Sequence, residues 1–263
     1  MHSEGLDISV NDSAPIPTIK LSGEVDFHSA SAIREAVSEL LRKRKYNLTI
    51  DVSHLEFIDS SGLSALLDAA KAAKAQGGDV KLLSPGAQLI HVLTISGFAP
   101  YFSITPNNGT RTKRAPKSVT AQAHTSWQVT QFEIPPKTEL IADIRNKVAV
   151  FAQALPFSKQ DIEDIKLAVG EASSNALRYG CPESSNNIVV RCSHNGARLN
   201  VQIKDNGPCF NPDEIEPPPI DALDEGGRGI YFMRVLMDEV KFYFSSSGTI
   251  VELVKYTPEC VEG

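Results

Sequence analysis

The feature that most constrains the fold is a segment near the middle of the chain that cannot contribute to a hydrophobic core. Residues 105–126, TPNNGTRTKRAPKSVTAQAHTS, contain almost no large apolar side chain, and residues 105–128 carry four basic and no acidic side chains. Such a composition is typical of a solvated linker. We therefore expect two domains, residues 1–104 and 129–263, joined by a basic flexible linker over residues 105–128.

The overall composition limits the classes of protein to which the chain can belong. Its 263 residues are 41% hydrophobic and 22% charged, which is ordinary for a soluble protein with two cores. No apolar run is long enough to span a bilayer, and the first residues lack the pattern of a signal peptide. Four cysteines without a C-x-x-C pair indicate reduced thiols. The net charge of −6, without a basic stripe interleaved with aromatics, argues against nucleic acid. We expect a cytoplasmic protein that binds no membrane and no nucleic acid directly.

The first domain alternates strand and helix patterns. Runs with period-two alternation or buried-strand character are followed by runs with apolar residues at helical spacing. This alternation predicts an α/β sandwich. The expected strands cover residues 17–27, 46–55, 79–84 and 101–105, and the expected helices cover residues 29–44, part of 57–78, and 87–96.

Two adjacent serines, Ser60 and Ser61, stand where a strand of this domain becomes a helix, in the stretch FIDSSGLSALL. A serine at a helix N-terminus usually caps the helix by accepting a backbone N–H bond, which is the simpler interpretation of the stretch alone. The free N–H groups and positive dipole of the same helix end would also stabilise a phosphate on the hydroxyl. The stretch therefore fits either a cap or a phosphoacceptor.

Four segments of the first domain, taken in order, resemble the anti-sigma-factor antagonist, or STAS, family over about residues 17–105. They are LSGEVDFHSASAIREAV, DVSHLEFIDSSGLSALL, GGDVKLLSP and LTISGF. The resemblance implies a STAS-type α/β sandwich. It also implies that Ser60, which directly follows the aspartate of the motif, is phosphorylated by a cognate kinase, and Asp26 matches an acid near that site.

The second domain has a different pattern. Residues 137–155 and 158–180 have the spacing of amphipathic helices, and the second helix opens with Ser158 as its N-cap and Asp161 three residues later. This order predicts helices on one face of a mostly antiparallel sheet. Two expected hairpins supply the sheet, with strands over 186–193 and 198–205, and over 239–245 and 249–256.

Two pairs of residues in this domain can carry chemistry. Glu171 and Asn175 are four residues apart and therefore share one face of the second predicted helix. Asp205 and Gly207 follow a strand end, where an acid can accept from an exocyclic amine and a glycine lets a flat ring approach the backbone. Taken alone, a polar surface pair and an ordinary Asx turn explain them equally well.

A third cluster consists of Gly226, Gly227 and Gly229, directly before the helical stretch IYFMRVLMDEV. Glycines at this place can offer backbone N–H groups to phosphate oxygens. A flexible loop is the ordinary explanation of such a cluster. The order of all three clusters, separated by strand pairs, is more specific than any one of them.

This order resembles the ATP-binding domain of the GHKL superfamily, which gyrases and histidine kinases share. The resemblance implies a Bergerat-type α/β sandwich that binds ATP with Mg²⁺. It implies that Asn175 coordinates the magnesium ion, that Glu171 is the catalytic base, and that Asp205 bonds the adenine amino group. The adenine and phosphate walls would be formed by Gly207, Gly226, Gly227 and Gly229.

Features that are missing from the sequence indicate one branch of this superfamily. None of the six histidines precedes Asp or Glu, as a histidine-kinase phosphoacceptor would, and only about 30 residues follow Gly229, too few for a gyrase-type transducer domain. The stretch GGRGIYFMRVLMDEV is similar to the glycine box of anti-sigma serine kinases, and residues 211–225 would be the ATP lid. Two positions depart from the wider superfamily: Cys209 replaces a usual glycine, and Tyr179 replaces a usual histidine.

Together, the two resemblances imply a partner-switching regulator. An anti-sigma-like serine kinase domain would phosphorylate a STAS domain on Ser60, in cis or in trans. The implied partners are the chain's own or a separate STAS domain, a sigma factor or other regulatory protein, and a second copy in a homodimer. The alternative is a non-catalytic nucleotide-binding module whose STAS domain is phosphorylated by another kinase. The presence of Glu171 and Asn175 favours the enzyme.

Overall fold

The structure is a computed structural model that divides into two compact units, Met1–Lys113 and Arg114–Gly263. Most of the predicted linker, most of the predicted ATP lid, and Cys181, Cys209 and Cys260 lie outside the described residues. In the part of the chain that is described, no helix is long and apolar enough to cross a membrane. The described residues are 2–3, 5–105, 126–180, 187–207, 225–245 and 248–258.

The first unit contains a six-stranded mixed sheet in the order β1-β2-β3-β4-β5-β6. The first three strands pair antiparallel, and β3 to β6 are parallel. The predicted α/β sandwich is confirmed, but the sequence patterns did not predict β1 or β2. The strands are β1 (His2–Ser3), β2 (Leu6–Asn11), β3 (Thr18–Val25), β4 (Asn47–Ile58), β5 (Asp79–Leu83) and β6 (Ser103–Thr105).

Three helices accompany this sheet: α1 (Ala30–Arg42), α2 (Ser60–Ala75) and α3 (Ala87–Ile95). Helix α1 buries one apolar stripe, as its spacing predicts, whereas every residue of α2 from Ser60 to Leu67 is buried. Because β3 and β4 are parallel, their carboxyl ends meet at one edge of the sheet. The loop before α1 and the start of α2 therefore lie side by side, and the N–H of Asp59 donates to the carbonyl of Val25 at 3.0 Å.

The second unit contains a five-stranded antiparallel sheet in the order β10-β11-β9-β8-β7. Buried residues alternate along β8 and β9, and helices α4, α5 and α6 pack against the sheet. The predicted class of helices on an antiparallel sheet is confirmed, although β7 was not predicted. The strands are β7 (Gln128–Ile134), β8 (Ile188–His194), β9 (Arg198–Lys204), β10 (Glu239–Ser245) and β11 (Gly248–Tyr256); the helices are α4 (Ile141–Ala152), α5 (Lys159–Asn175) and α6 (Glu225–Leu236).

Candidate functional site

Helix α5 runs through the centre of the second unit, where it contacts α4, α6 and strands β9 and β11. Its start is held by the predicted capping box: Oγ of Ser158 accepts from the N–H of Asp161, whose carboxylate accepts from the N–H of Ser158. Glu171 and Asn175 lie in the last turns of this helix on one face. Glu171 is only 4% exposed and Asn175 is half-buried. A polar surface pair is therefore the wrong interpretation of Glu171.

The glycine cluster belongs to a helix rather than to a loop. Helix α6 begins at Glu225, so Gly226 and Gly227 lie in its first turn, and the prediction that the glycines precede the helix is wrong. The first N–H groups of a helix have no intrahelical acceptor, so this turn still offers donors to an anion. A Cβ built on Gly229 would lie 2.6 Å from Oε2 of Glu171. A side chain at position 229 would therefore have to move the Glu171 carboxylate.

Asp205 lies at the end of β9 and is buried. Its Oδ1 accepts from the N–H of Gly207 at 3.0 Å and from the N–H of Thr249 at 3.3 Å. Burial raises the pKa of the Asp205 carboxyl above its ordinary value, and the two N–H bonds, which lower it, offset only part of this rise. Among the described residues both hydrogen bonds fall on Oδ1, so Oδ2 can accept from a ligand.

Two residues beside Asp205 were missed by sequence reasoning. Gly180 ends a π-helical turn, Ala176–Gly180, that continues α5 and packs against Asp205. Thr249 lies in β11 and donates to the Asp205 carboxylate. A glycine at the end of a predicted helix normally indicates a C-cap, and a threonine in a strand has no local signal. Contacts between segments this far apart in sequence have no local pattern that could reveal them.

The structure thus brings five of the seven predicted residues of this domain into two groups, and Gly226 and Gly227 lie on the same helix as Gly229. Glu171, Asn175 and Gly229 form one group, and Asp205 and Gly207 form the other. The five-residue π-helical turn that begins after Asn175 connects them. The donor chemistry of the first group suits Mg²⁺, which prefers oxygen ligands and is usually shared with substrate phosphates. The second group combines a buried acceptor with close backbone approach, which suits the flat base of a nucleotide.

The predicted phosphoacceptor lies in the first unit, at the start of α2. The helix is capped by Asp59 and not by either serine: Oδ1 of Asp59 accepts from the N–H groups of Ser61 and Gly62, at 2.8 and 2.9 Å. The interpretation of the serines as caps is therefore wrong. Oδ2 of the same carboxylate accepts from the N–H of Phe27 at 3.1 Å. Asp59 thus joins the start of α2 to the loop before α1.

Ser60 is the first residue of α2 and is only 3% exposed. Its carbonyl accepts from Oγ of Ser64 at 2.6 Å. Asp26 lies in the neighbouring loop, where its Oδ1 accepts from the N–H of His28 and from the N–H and Oγ of Ser29. Because the Ser60 hydroxyl is buried, phosphorylation requires the start of α2 to open or the neighbouring loop to move.

Replacing Asp59 by alanine is expected to lower the free energy of unfolding of the first unit by about 1–3 kcal/mol. The variant loses the helix cap and the bond to Phe27 together. Hydrogen exchange, followed by mass spectrometry on peptides from residues 46–71, measures this change.

Asp12→Ala is the matched control, because Asp12 forms an exposed ion pair with Lys43. An exposed ion pair contributes little to stability because water screens it, so exchange in the same peptides should be nearly unchanged. Equal protection in Asp59→Ala and the parent chain would contradict the role of Asp59 as the cap.

Two family models match the chain, one in each unit. The STAS domain model matches residues 7–110. The model described as a histidine kinase-like ATPase domain matches residues 134–255. All residues of the two groups in the second unit, and Ser60 in the first, fall inside these ranges.

Curated relatives match one half of the chain. The serine-protein kinase RsbW of Bacillus velezensis is 34% identical over 141 residues, which are 50% of this chain and 88% of that protein. The protein of the same name from Bacillus subtilis is 33% identical over 135 residues, 48% of this chain and 84% of that protein. The chain therefore contains nearly the whole length of each relative.

Solved structures also match part of the chain. An anti-sigma factor antagonist from Mycobacterium paratuberculosis has 22% sequence identity and a TM-score of 0.37, over 41% of this chain and 91% of that one. The Bacillus cell fate determinant SpoIIAA in its phosphorylated form has 24% identity and a TM-score of 0.34, over 38% of this chain and 93% of that one. Each match covers about two fifths of this chain.

Proposed function

We propose that this chain, which belongs to the RsbW family of serine-protein kinases, transfers the γ-phosphate of ATP to Ser60. Ser60 lies in the STAS domain that the chain carries in addition to its kinase domain. The acceptor would be Ser60 of the same chain or of a second copy. The observation that carries the proposal is the buried Glu171 carboxylate, which faces Gly229 and shares a helix face with Asn175. A buried acid that shares a helix face with an amide able to hold Mg²⁺ suits phosphotransfer to a hydroxyl.

In this mechanism the residues of the chain have separate tasks. Oδ1 of Asn175 would hold Mg²⁺, which neutralises charge on the phosphate oxygens when it is bound with ATP. Gly226 and Gly227 would direct N–H groups of the first turn of α6 at the phosphates. Glu171 would accept the proton of the Ser60 hydroxyl while Oγ of Ser60 bonds to the γ-phosphorus. The bond from that phosphorus to the oxygen that bridges it to the β-phosphate breaks, which releases ADP.

Asp205 would recognise the base of the nucleotide. Its carboxylate has only acceptors, so it matches the exocyclic amino group of adenine. The N–H of Gly207 donates to Oδ1 of Asp205 and keeps that oxygen oriented, and the absence of a side chain lets Gly207 pack against the backbone of Gly180. Recognition of adenine would therefore depend on the Asp205 side chain, whereas the first turn of α6 would bind the phosphates.

We expect Asp205→Asn to weaken ATP binding by about tenfold or more, because a hydrogen bond to a charged group contributes about 1.5–3 kcal/mol. Calorimetry with ATP and Mg²⁺ measures the loss. Binding equal to that of the parent would contradict the assignment of Asp205 to the base.

Asp205→Asn should leave the stability of the folded protein unchanged or raise it, although it weakens ATP binding. The folded-state pKa of Asp205 is raised, so its contribution to stability is present at low pH and is lost as the pH rises through that pKa. At neutral pH the ionised carboxylate therefore costs stability that asparagine does not. Thermal unfolding at pH 7 should show an equal or higher midpoint for Asp205→Asn, which separates lost recognition from lost folding.

The proposed partners follow from the fusion of the two domains. A STAS domain of this chain or of a separate protein would be the substrate, and a sigma factor or another regulatory protein would compete for the kinase domain. A homodimer would allow phosphorylation in trans. A phosphate on Ser60 adds about −1.5 to −2 charges. Residues 129–263 already carry a net charge of −7, so phosphorylation should weaken binding of the STAS domain to a kinase domain.

The direct test incubates the purified full chain with γ-labelled ATP and Mg²⁺. We expect label on the protein, at a rate that is independent of protein concentration in cis and rises with it in trans. Binding of ATP without any transfer of label would favour the alternative, a nucleotide-binding module whose STAS domain is phosphorylated by another kinase.

A further inference from the structure

The Asp205 side chain is confined by the residue that ends the π-helical turn after α5. A Cβ built on Gly180 would lie 2.2 Å from Cγ of Asp205, 2.3 Å from its Cβ and 2.6 Å from its Oδ1. Contacts of this length are shorter than the closest approach of non-bonded carbon and oxygen atoms. Any side chain at position 180 must therefore displace the Asp205 carboxylate or the turn itself.

The start of β11 also contacts Asp205. Gly248 has φ +118°, and a Cβ built on it would lie 1.9 Å from the carbonyl oxygen of Asp205. The next residue, Thr249, donates its N–H to Oδ1 of Asp205 and accepts from the N–H of Asp205 at 3.0 Å. The carboxylate is thus held through Oδ1 by the N–H groups of Gly207 and Thr249, and a side chain at position 180 would take the space of that same oxygen.

We propose that Gly180 is a positioning residue for nucleotide selection, and that it acts through Asp205 to give this site its preference for adenine. The inference rests on the proposed role of Asp205 in binding the base. Gly180 itself need not touch the nucleotide, because the absence of its side chain determines where the carboxylate lies.

A side chain at position 180 should change the preference for a base that carries an exocyclic amino group. A carboxylate in the native position accepts from an amino group on the base, and it gains nothing from a base without that group. Hydrogen bonds weaken steeply when the distance or angle departs from its optimum, so a displacement of about 1 Å removes the preference. The phosphate and metal side, around Glu171 and Asn175, would keep its own contacts.

The test measures competition between ATP and purine riboside triphosphate, which lacks the exocyclic amino group, on the full chain with Mg²⁺. We expect the parent to prefer ATP by about tenfold to a hundredfold. Gly180→Ala should bring the ratio of the two affinities, for ATP and for purine riboside triphosphate, close to one. We expect the same of Asp205→Asn. In phosphotransfer assays Gly180→Ala should raise KM for ATP far more than it lowers kcat.

Gly229→Ala is the matched control. The added Cβ meets Oε2 of Glu171 at 2.6 Å instead of Asp205, so this variant should lower the rate of transfer and keep the preference for ATP. In the double variant Gly180→Ala/Asp205→Asn the ratio should be no lower than in either single variant, because both changes remove the same interaction.

The outcomes separate this inference from the function on which it rests. A parent chain that binds both nucleotides equally would overturn the Asp205 assignment, and Gly180 would then have no base preference to set. A parent with the preference, together with Gly180→Ala that keeps it, would overturn the inference alone. If Gly180→Ala fails to fold, adding Asp205→Gly should restore folding, because it removes the side chain that position 180 would meet. A double variant that is still unfolded would also overturn the inference that Gly180 acts through Asp205.

Discussion

Replacing Glu171 by glutamine is expected to slow serine phosphorylation by about 10²–10⁴-fold, the usual contribution of a general base. ATP affinity should change by less than about threefold, because a base acts mainly in the transition state. Glutamine has nearly the same shape, so it can keep the packing against Gly229. Single-turnover transfer of label and calorimetry with ATP measure the two quantities on the same preparation.

Glu163→Gln is the matched control for this prediction. Glu163 is on the same helix, where it forms an ion pair with Lys166 that is partly exposed. Its replacement should leave both the transfer rate and the ATP affinity unchanged within error. Equal rates for Glu171→Gln and the parent would remove Glu171 from the mechanism, and a parallel loss of ATP affinity would make it a binding residue instead.

Replacing Ser60 by alanine is expected to abolish phosphorylation of the chain, because alanine has no hydroxyl to attack the γ-phosphate. Ser61→Ala should retain most of it, since Ser61 contributes its N–H to the cap of α2 and that donor survives the substitution. The measurement is the stoichiometry of phosphate per chain after exhaustive reaction. Label that persists in Ser60→Ala and disappears in Ser61→Ala would show that Ser61 is the acceptor instead.

A phosphate on Ser60 would meet a carboxylate that already holds the helix N-terminus. The N–H groups of Ser61 and Gly62 bond to Asp59, so the phosphate has to compete for them with a second negative group. Because the same carboxylate also bonds the N–H of Phe27, displacement of Asp59 would release the loop before α1. Phe27 is 39% exposed, so this release would alter the surface of the domain.

Much of the fold follows from periodicity, because each domain alternates or groups its elements in a regular order. The strands β1, β2 and β7 were missed because they are short or exposed. Pairing of β1 with β2, of β2 with β3 and of β7 with β8 is what makes them strands. Taken alone, the stretch favours a serine as the cap of α2, whereas the structure shows Asp59 in that role. Serine and aspartate are both good caps, and the sequence pattern does not resolve a shift of one residue.

The candidate site was predictable where its residues are close in sequence. The four-residue spacing of Glu171 and Asn175 places them on one helix face, and the structure shows that this face is turned to Gly229. The contacts of Asp205 with Gly180 and Thr249 join the end of a helix, a strand end and the last strand. Such contacts depend on the tertiary fold, so no local motif indicates them.

Whether this kinase domain phosphorylates Ser60 can be read from mass spectrometry of the peptide from Tyr46 to Lys71, after reaction of the full chain with ATP and Mg²⁺. The serine and threonine residues of this peptide are Thr49, Ser53, Ser60, Ser61 and Ser64, and fragmentation distinguishes them. We expect one phosphate, on Ser60, that is absent when Glu171 is replaced by glutamine. A chain that binds ATP and leaves this peptide unmodified, or that carries the phosphate elsewhere, would contradict this expectation.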